Sequence, residues 1–253
     1  MQPTSRDVAL DDVFNLRDLG GYATADGRRT RWRRLYRGAG LHRLAGNDIE
    51  IVRELGLATA IDLRTQGELD AVGRYPREEL PADFHHLPMI TSLWGLDGID
   101  PDAPAADYLL ARYREMLDAG TATIATTFRL LARDDAYPAV FYCAAGKDRT
   151  GVMAALLLSA VGVREEEIVA DYALSHERVQ RIVARAAARG DADAHSAMVA
   201  QPPAMMAAPA AAMELLLATI RDEHGSAHDY LEAIGVEREA VAAIEASLLE
   251  PAR

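Results

Sequence analysis

Near the middle of the chain stands the stretch Val140-Phe141-Tyr142-Cys143-Ala144-Ala145-Gly146-Lys147-Asp148-Arg149-Thr150-Gly151, which holds the chain's one cysteine. Residues 138–142 are apolar, β-branched or aromatic after a proline, and they predict a short buried strand. Residues 150–161 have apolar side chains on nearly every face and predict a buried helix. Cys143 and Arg149 are separated by five residues, so they lie at the two ends of a loop that joins a strand to a helix N-terminus.

This loop has the parts that are needed to attack a phosphate ester. Free N–H groups at a helix N-terminus and the helix dipole favour a bound phosphate, and they also favour the thiolate form of a cysteine, which is the nucleophile. Arg149 can hold two phosphate oxygens through its planar guanidinium group. We expect Lys147 to add positive charge at the mouth of the loop, and Thr150 to donate a hydrogen bond to the sulfur.

We expect a reaction in two steps, in which Cys143 takes the phosphoryl group and water then removes it. Arg149 and the loop amides take the place of the cation that many phosphoryl-transfer enzymes use, so no metal ion and no other cofactor is expected. A buried structural cysteine followed by a surface turn is the competing interpretation. The C-x5-R spacing alone is a weak pattern, but the full C-x-x-G-K-D-R-T-G string between a strand and an apolar helix favours a phosphate loop.

The loop from Cys143 to Gly151 resembles the signature loop of the bacterial and fungal tyrosine-phosphatase-like proteins. Further segments resemble the same family in the same order, namely residues 14–22, 35–38, 61–68 and 230–236, so that the resemblance covers roughly residues 13–250. It implies an α/β fold of the protein-tyrosine-phosphatase type. In that fold a central, mostly parallel sheet is flanked by helices, and a helical lid is inserted after the phosphate loop.

The resemblance also implies a cysteine-dependent phosphomonoesterase of the protein-tyrosine, dual-specificity or phosphoinositide phosphatase kind. The residues then expected to contact the substrate are Ala144, Ala145, Gly146, Lys147, Thr150 and Gly151. The substrate stays open between a phosphorylated protein, a phosphoinositide and a small biosynthetic phosphate ester, with inorganic phosphate as product and inhibitor. A rhodanese-like sulfur-transfer enzyme is a further alternative, which the arginine and threonine of the loop oppose.

The leaving group of the first step needs a proton donor. Many classical tyrosine phosphatases supply the proton from a Trp-Pro-Asp loop, and no such sequence occurs in this chain. The resemblance implies that Asp148 is the general acid, and a positioned acid contributes ~10²–10⁴-fold to the rate. Asp148 could instead make a structural hydrogen bond to the loop; Asp97 and Asp100, in a 94–107 loop that could close over the site, are the competing acids.

Tyr142 departs from the family pattern, which usually has histidine before the cysteine. A phenol can donate a hydrogen bond but carries no positive charge to hold a thiolate. The first step is then slower, or the surrounding amides are sufficient to hold the thiolate without the histidine. At the extreme, the chain would be a phosphate-binding module with weak or no catalysis.

A second set of residues is predicted to support the loop: Asp62, Arg64, Glu68, Asn15, Arg17, Asp18, Arg37 and Tyr142. Asp62 ends a predicted strand and could orient the loop, and Glu68 could pair with Arg149. Both could equally form surface ion pairs. The three members that precede residue 20 are expected to brace the loop without contacting the substrate.

Strands alternate with helices along the chain, which predicts an α/β sheet that is parallel at its centre, with the cysteine strand central. Before that strand we predict a hairpin of 21–25 and 28–34, strands at 59–63 and 84–88, and helices at 47–56, 108–117 and 121–132. After it we predict helices at 165–169, 172–188, 207–223, 227–234 and 238–249. We expect one domain over 1–253, with a loose arm at 1–12 and a methionine-rich candidate lid at about 184–213, which could instead pack as ordinary helices.

The 253 residues carry a formal net charge of −12, with a pI near 5.0, so nucleic-acid binding is not expected. Six arginines crowd residues 28–37; they form either a solvated face or an electropositive rim, and Arg37 is expected to point inward. No apolar run approaches the ~18–20 residues of a membrane span. The N-terminal residues lack a hydrophobic signal core, so we expect a cytoplasmic protein, with export by a route without a cleavable signal left open.

Overall fold

The computed structural model describes residues 5–93, 104–188 and 203–251. Within these ranges the strands are β1 Arg17–Asp18, β2 Leu35–Ala39, β3 Thr59–Asp62, β4 Asp83–His86 and β5 Ala139–Cys143. They form one sheet in the order β1-β2-β5-β3-β4. β1 and β2 pair antiparallel, whereas β2 with β5, β5 with β3, and β3 with β4 pair parallel. The sheet is therefore mostly parallel, with the cysteine strand at its centre, as the sequence predicted.

The central strand β5 is buried on both faces, because its alternate side chains enter two different cores. Phe141 and Cys143 belong to the larger core, under the helices, and Val140 and Tyr142 belong to the smaller one. Side chains alternate across a strand. It follows that Cys143 and the preceding Tyr142 point to opposite faces of the sheet.

Helices cover the sheet, and their bounds are α1 Asn47–Arg53, α2 Gln66–Val72, α3 Ala105–Ala119, α4 Thr121–Leu131, α5 Asp148–Ala160, α6 Glu165–Ala173, α7 Ser175–Ala188, α8 Pro203–Met206, α9 Ala210–His224, α10 Ala227–Ala233 and α11 Arg238–Leu248. α5 packs against α3, α6 and α10, and nearly all of its residues are buried. This burial explains why its sequence is apolar on almost every face. No helix in the described ranges is both long and apolar enough to cross a membrane.

The start of α5 differs from the prediction. The sequence pattern placed it at Thr150, whereas the helix begins at Asp148. Asp148 and Arg149 are polar and were assigned to the loop, but an acidic residue is favourable in the first turn of a helix. The turn between β5 and α5 is therefore only residues 144–147, and both polar side chains project from a helical backbone.

Strand β2 was not predicted as a strand, although it lies next to the cysteine strand, with Ala39 opposite Cys143. The predicted hairpin before it is present but shorter than predicted: backbone hydrogen bonds join residues 21–24 to residues 28–30, with one isolated β-bridge between Ala23 and Arg29. The arginines of residues 28–34 precede β2. Since β2 is parallel to β5 and its last residue lies opposite Cys143, these arginines lie at the other end of the sheet. An electropositive rim around the phosphate loop is therefore ruled out for these arginines.

The N-terminal arm is also more ordered than expected over its described part, residues 5–12. Asp7 forms a β-bridge with Arg17, and the N–H of Val8 donates to Leu16 O at 3.0 Å. Two other regions of interest lie outside the described residues. Residues 94–103 include the competing acids Asp97 and Asp100, and residues 189–202 form the middle of the candidate lid.

Candidate active site

Cys143 is the last residue of β5, and its side chain is only 2% exposed. Residues 144–147 turn the chain into α5; Ala144 is exposed at this turn, and Gly146 is buried. Gly146 has a φ of 64°, in the left-handed region, and a Cβ there would lie 2.5 Å from the carbonyl oxygen of Gly38. Only glycine allows the turn to lie this close to β2.

Buried donors hold the carbonyl groups of this turn from behind. Asn15 Nδ2 donates to the oxygens of Ala145 and Gly146, both at 2.9 Å, and Arg37 Nη2 donates to those of Gly146 at 2.9 Å and Lys147 at 3.4 Å. In a trans peptide the N–H points away from the C=O, so the amides of the turn face the opposite, open side. No acceptor among the described residues takes the N–H of Gly146 or Lys147. The turn thus presents free amides that suit an anion.

Asp171 of α6 fixes Arg37 directly and fixes Asn15 through Arg17. Its Oδ2 accepts from Arg37 Nη1 at 2.5 Å, and its Oδ1 accepts from Arg17 Nε at 2.8 Å and the Tyr22 hydroxyl at 2.7 Å. Arg17 also donates to Asn15 Oδ1. Burial alone would raise the pKa of Asp171, but Arg17 and Arg37 outweigh burial and hold this pKa below its usual range. Burial, together with the charge of Arg17, lowers the pKa of Arg37 to about 10.

Asp171 is not among the residues predicted from the sequence, although the sequence of α6 contains a usable signal. Asp171 follows the buried Ile168 by three residues in α6, so the two share a helical face that points into the core. An acid on such a face needs a buried partner. Asp18, by contrast, was expected to brace the loop and does not contact it: its carboxylate accepts from the N–H groups of Gly20 and Arg33, both at 2.7 Å.

Arg149 is held by Glu68, the contact that the sequence analysis considered. Arg149 Nη1 donates to Glu68 Oε2 at 2.5 Å, and Nη2 donates to Oε1 at 2.8 Å. Glu68 is itself fixed, because it forms a capping box with Thr65 at the start of α2. Burial would raise the pKa of Glu68, but the hydrogen bond and charge of Arg149 lower it overall. Because Glu68 contacts the Nη1–Nη2 end of the guanidinium group, the edge of the group that carries Nε remains available to a second anion.

Replacing Glu68 with glutamine is expected to lower kcat/KM for an aryl phosphate by about 10- to 100-fold, because a guanidinium that is no longer fixed misplaces the phosphate. The measurement is steady-state kinetics with p-nitrophenyl phosphate. Glu50→Gln is the matched control, since Glu50 pairs with Arg53 on the exposed surface. Equal kcat/KM values in the two variants would contradict this role of Glu68.

Asp148 and Lys147 meet on the other side of the turn. Asp148 Oδ1 accepts from the Tyr113 hydroxyl at 2.7 Å and lies 3.2 Å from Lys147 Nζ. The Asp148 side chain is 21% exposed, so it is open to the solvent side of the site. Lys147 is 1% exposed, and its Nζ donates to the carbonyl oxygens of Met205 and Ala207, both at 2.6 Å. Its charge is therefore buried beneath the C-terminal end of α8 and the residue that follows it, and the expectation of a cation at the mouth of the loop was wrong.

Tyr142 lies behind the loop, on the face away from the sulfur. Its hydroxyl donates to Asp62 Oδ2 at 2.8 Å, and Arg64 donates to both oxygens of the same carboxylate. All three residues are fully buried. Burial and the charge of Asp62 raise the pKa of Tyr142, so the phenol stays protonated and is committed to Asp62. Tyr142 thus links β5 to β3 and makes no hydrogen bond to Cys143.

Thr150 and Gly151 occupy the first turn of α5 beyond Arg149. Thr150 Oγ1 is buried and has no hydrogen-bond partner among the described residues, so it is free to serve a group bound in the loop. A Cβ on Gly151 would lie 3.0 Å from the ring of Tyr172. Gly151 therefore permits close packing of α5 against α6. No group of three or more His, Cys, Asp and Glu side chains within the described ranges could hold a metal ion.

The chain is similar to proteins that are named as phosphatases. The model of a family described as the tyrosine phosphatase family matches residues 8–250. A Cupriavidus necator protein with a provisional tyrosine-protein phosphatase name is 35% identical over 68% of this chain, and the chain spans only 64% of that protein's length. A tyrosine-protein phosphatase of Nostoc commune is 29% identical over 84% of this chain and 73% of its own length. The triple specificity protein phosphatase PtpB of Mycobacterium tuberculosis is 30% identical over 70% of this chain and 71% of its own length.

Proposed function

We propose that this chain, which belongs to the tyrosine phosphatase family, hydrolyses phosphate monoesters through a phosphocysteine formed on Cys143. The observation that carries the proposal is the joint arrangement of one nucleophile and its anion site. Cys143 ends a central strand, free amides of residues 146 and 147 follow it, and Arg149 is fixed by Glu68. Such an arrangement stabilises a phosphoryl group mainly by preorganised electrostatics.

In the first step the Cys143 thiolate attacks phosphorus and forms an S–P bond. The bond from phosphorus to the leaving oxygen breaks, and that oxygen takes a proton from Asp148. The turn amides and the Nε edge of Arg149 hold the phosphoryl oxygens. Asp148 suits the role of acid because it projects from the first turn of α5 and is partly open to solvent, unlike the fully buried Asp62 and Asp171.

In the second step water attacks phosphorus and gives a proton to Asp148. The S–P bond breaks, the thiolate leaves, and inorganic phosphate is released. Thr150 Oγ1, which is buried without a partner among the described residues, would donate a hydrogen bond to the departing sulfur. The orphaned hydroxyl supports this role because buried polar groups in proteins rarely remain unpaired.

For the substrate we propose phosphotyrosine in proteins, in line with the names of the Cupriavidus necator and Nostoc commune relatives. Phosphoinositides and small phosphate esters are the competing substrates. Initial rates with a phosphotyrosine peptide, the matching phosphoserine peptide, a phosphoinositide and a sugar phosphate distinguish them. A higher kcat/KM for the lipid or the sugar phosphate than for the phosphotyrosine peptide would overturn the assignment.

The proposed reaction is tested with p-nitrophenyl phosphate in excess EDTA. We expect undiminished hydrolysis, and we expect acid quenching during turnover to trap a phosphoryl group on the peptide that contains Cys143. Mass spectrometry of the digest locates it. Activity that depends on an added divalent metal, or a phosphoryl group trapped on another residue, would contradict the phosphocysteine mechanism.

A further inference from the structure

We propose that Tyr113, backed by Tyr172, positions the carboxyl group of Asp148 so that its transferable proton resides on Oδ2. The inference rests on the proposed function, in which Asp148 is the general acid. Tyr113 and Tyr172 come from α3 and α6, two helices that were not connected with the chemistry by any sequence motif. They are positioning residues, since they act on the acid and not on the substrate.

The two tyrosines and the acid form one line of hydrogen bonds. The Tyr113 hydroxyl lies 2.7 Å from Asp148 Oδ1 and 2.5 Å from the Tyr172 hydroxyl. The two rings pack edge to face, with their centroids 6.2 Å apart. Tyr113 is 0% exposed and Tyr172 is 1% exposed, so their hydroxyls are shielded from water. In this setting a hydrogen bond is stronger than in solvent.

The direction of these hydrogen bonds follows from the acceptor at their end. Asp148 Oδ1 can only accept when the carboxyl is ionised, so the Tyr113 hydroxyl donates to it. Tyr113 has then used its one hydrogen, and the hydrogen between the two phenols must come from Tyr172. Burial and the charge of Asp148 raise the pKa of both tyrosines, so both stay protonated and can keep these donor roles.

The direction of the hydrogen bond from Tyr113 decides which oxygen of the Asp148 carboxyl group carries the proton. Oδ1 faces two donors, the Tyr113 hydroxyl at 2.7 Å and the Lys147 ammonium 3.2 Å away. A proton on Oδ1 would point at one of them and would force Tyr113 to reverse. A proton on Oδ2 leaves every donor in place, because Oδ1 of the neutral acid still accepts. Oδ2 accepts no hydrogen bond from the described residues, so a proton on Oδ2 remains available to a leaving group.

The consequence for the reaction is a fixed proton path. As the bond from phosphorus to the leaving oxygen breaks, that oxygen takes the electron pair and the proton from Oδ2, and the Asp148 carboxylate that results is stabilised by Tyr113. In the second step, the attacking water returns a proton to Oδ2. Without the Tyr113 hydroxyl, the carboxyl would rotate, and Oδ2 would face the leaving oxygen for only part of the time.

The test uses Tyr113→Phe in the full chain, which keeps the buried ring and removes only the hydroxyl. Kinetics are measured for a series of aryl phosphates with leaving phenols from acidic, such as 2,4-dinitrophenol, to weakly acidic, such as phenol. A poor leaving group needs the proton most, so we expect kcat/KM for phenyl phosphate to fall on the order of tenfold, with little change for the dinitrophenyl ester. Tyr137→Phe is the matched control, because it loses a buried hydroxyl bonded to Leu131 O at the far end of the sheet.

Two further variants separate this inference from the assignment of the acid. In Asp148→Asn, kcat/KM should depend on the leaving group in the same way and more strongly. The double variant Asp148→Asn/Tyr113→Phe should have the same kcat/KM as Asp148→Asn alone. If Asp148→Asn shows no such dependence, the acid is assigned wrongly, and this inference fails with it. If Asp148→Asn shows the dependence on the leaving group but Tyr113→Phe lowers kcat/KM by the same factor for every ester, the role of Tyr113 is refuted and the assignment of Asp148 as the acid stands. Should Tyr113→Phe fail to fold, Tyr172→Phe interrupts the same line and must show the same dependence, though weaker.

Discussion

Replacing Cys143 with serine is expected to abolish hydrolysis of p-nitrophenyl phosphate while leaving phosphate binding intact. A hydroxyl ionises far less readily than a thiol, so the variant lacks a competent nucleophile. The anion site does not depend on the sulfur, because it consists of the turn amides, their braces Asn15 and Arg37, and the Arg149–Glu68 pair. Serine is also slightly smaller than cysteine, so it fits the buried end of β5.

The phosphate site of this variant is measured by thermal unfolding with increasing inorganic phosphate. A ligand at 100 times its Kd adds about 2.7 kcal/mol to the free energy of unfolding, so wild type and Cys143→Ser should show similar increases in Tm. Since Cys143 is the one cysteine of the chain, alkylation of the wild type with iodoacetate reports on this thiol alone, and phosphate should slow it. Residual turnover in Cys143→Ser close to the wild-type rate would show that the nucleophile lies elsewhere.

The local parts of this site were predictable because their signals lie within a few residues of one another. The apolar run before Cys143 indicated a central strand, and β5 is at the centre of the sheet. The loop that follows contains glycine where the backbone must adopt a positive φ. The contact of Glu68 with Arg149 could be considered because Glu68 belongs to a recognisable helix start, with Thr65 three residues before it.

The contacts of the distant residues with the phosphate loop were not predictable from spacing. Asp171, Tyr113 and Tyr172 lie on helices whose sequences look like ordinary amphipathic helices, and only the packing of α3 and α6 against α5 brings them to the loop. Lys147 was misjudged for the same reason. A lysine in a glycine-containing loop suggests solvent, but residues 205 and 207, far along the chain, supply carbonyl groups that bury its ammonium. Side-chain burial is decided by contacts that are remote in sequence.

Replacing Asp171 with asparagine is expected to destabilise the fold and impair the phosphate loop together. Asparagine preserves the shape but removes the charge, which leaves Arg17 and Arg37 buried without a counter-ion. Breaking a buried pair in this way costs about 3–5 kcal/mol, a large part of the 5–15 kcal/mol that typically stabilises a domain. Arg37 also braces the carbonyl groups of Gly146 and Lys147, so kcat/KM should fall even at temperatures where the variant remains folded.

The measurements are urea unfolding and p-nitrophenyl phosphate kinetics at a temperature well below the Tm of the variant. Glu166→Gln is the control, because Glu166 is an exposed acid of the same helix, and its neutralisation should change stability by no more than about 0.5 kcal/mol. A loss of stability without any loss of kcat/KM would mean that Asp171 supports the fold but not the loop. No loss of stability would contradict the buried-pair argument itself.

The pH dependence provides an independent check on Asp171. Since its pKa in the folded protein is depressed, its stabilising contribution is fully present above the ordinary aspartate pKa of about 3.9 and is lost as pH falls through the lower folded value. The difference in unfolding free energy between wild type and Asp171→Asn should therefore be constant from about pH 5 to pH 7 and should shrink only below about pH 4. A difference that already shrinks near pH 6 would require another group, such as a histidine, to carry the effect, because no carboxylate with a depressed pKa titrates there.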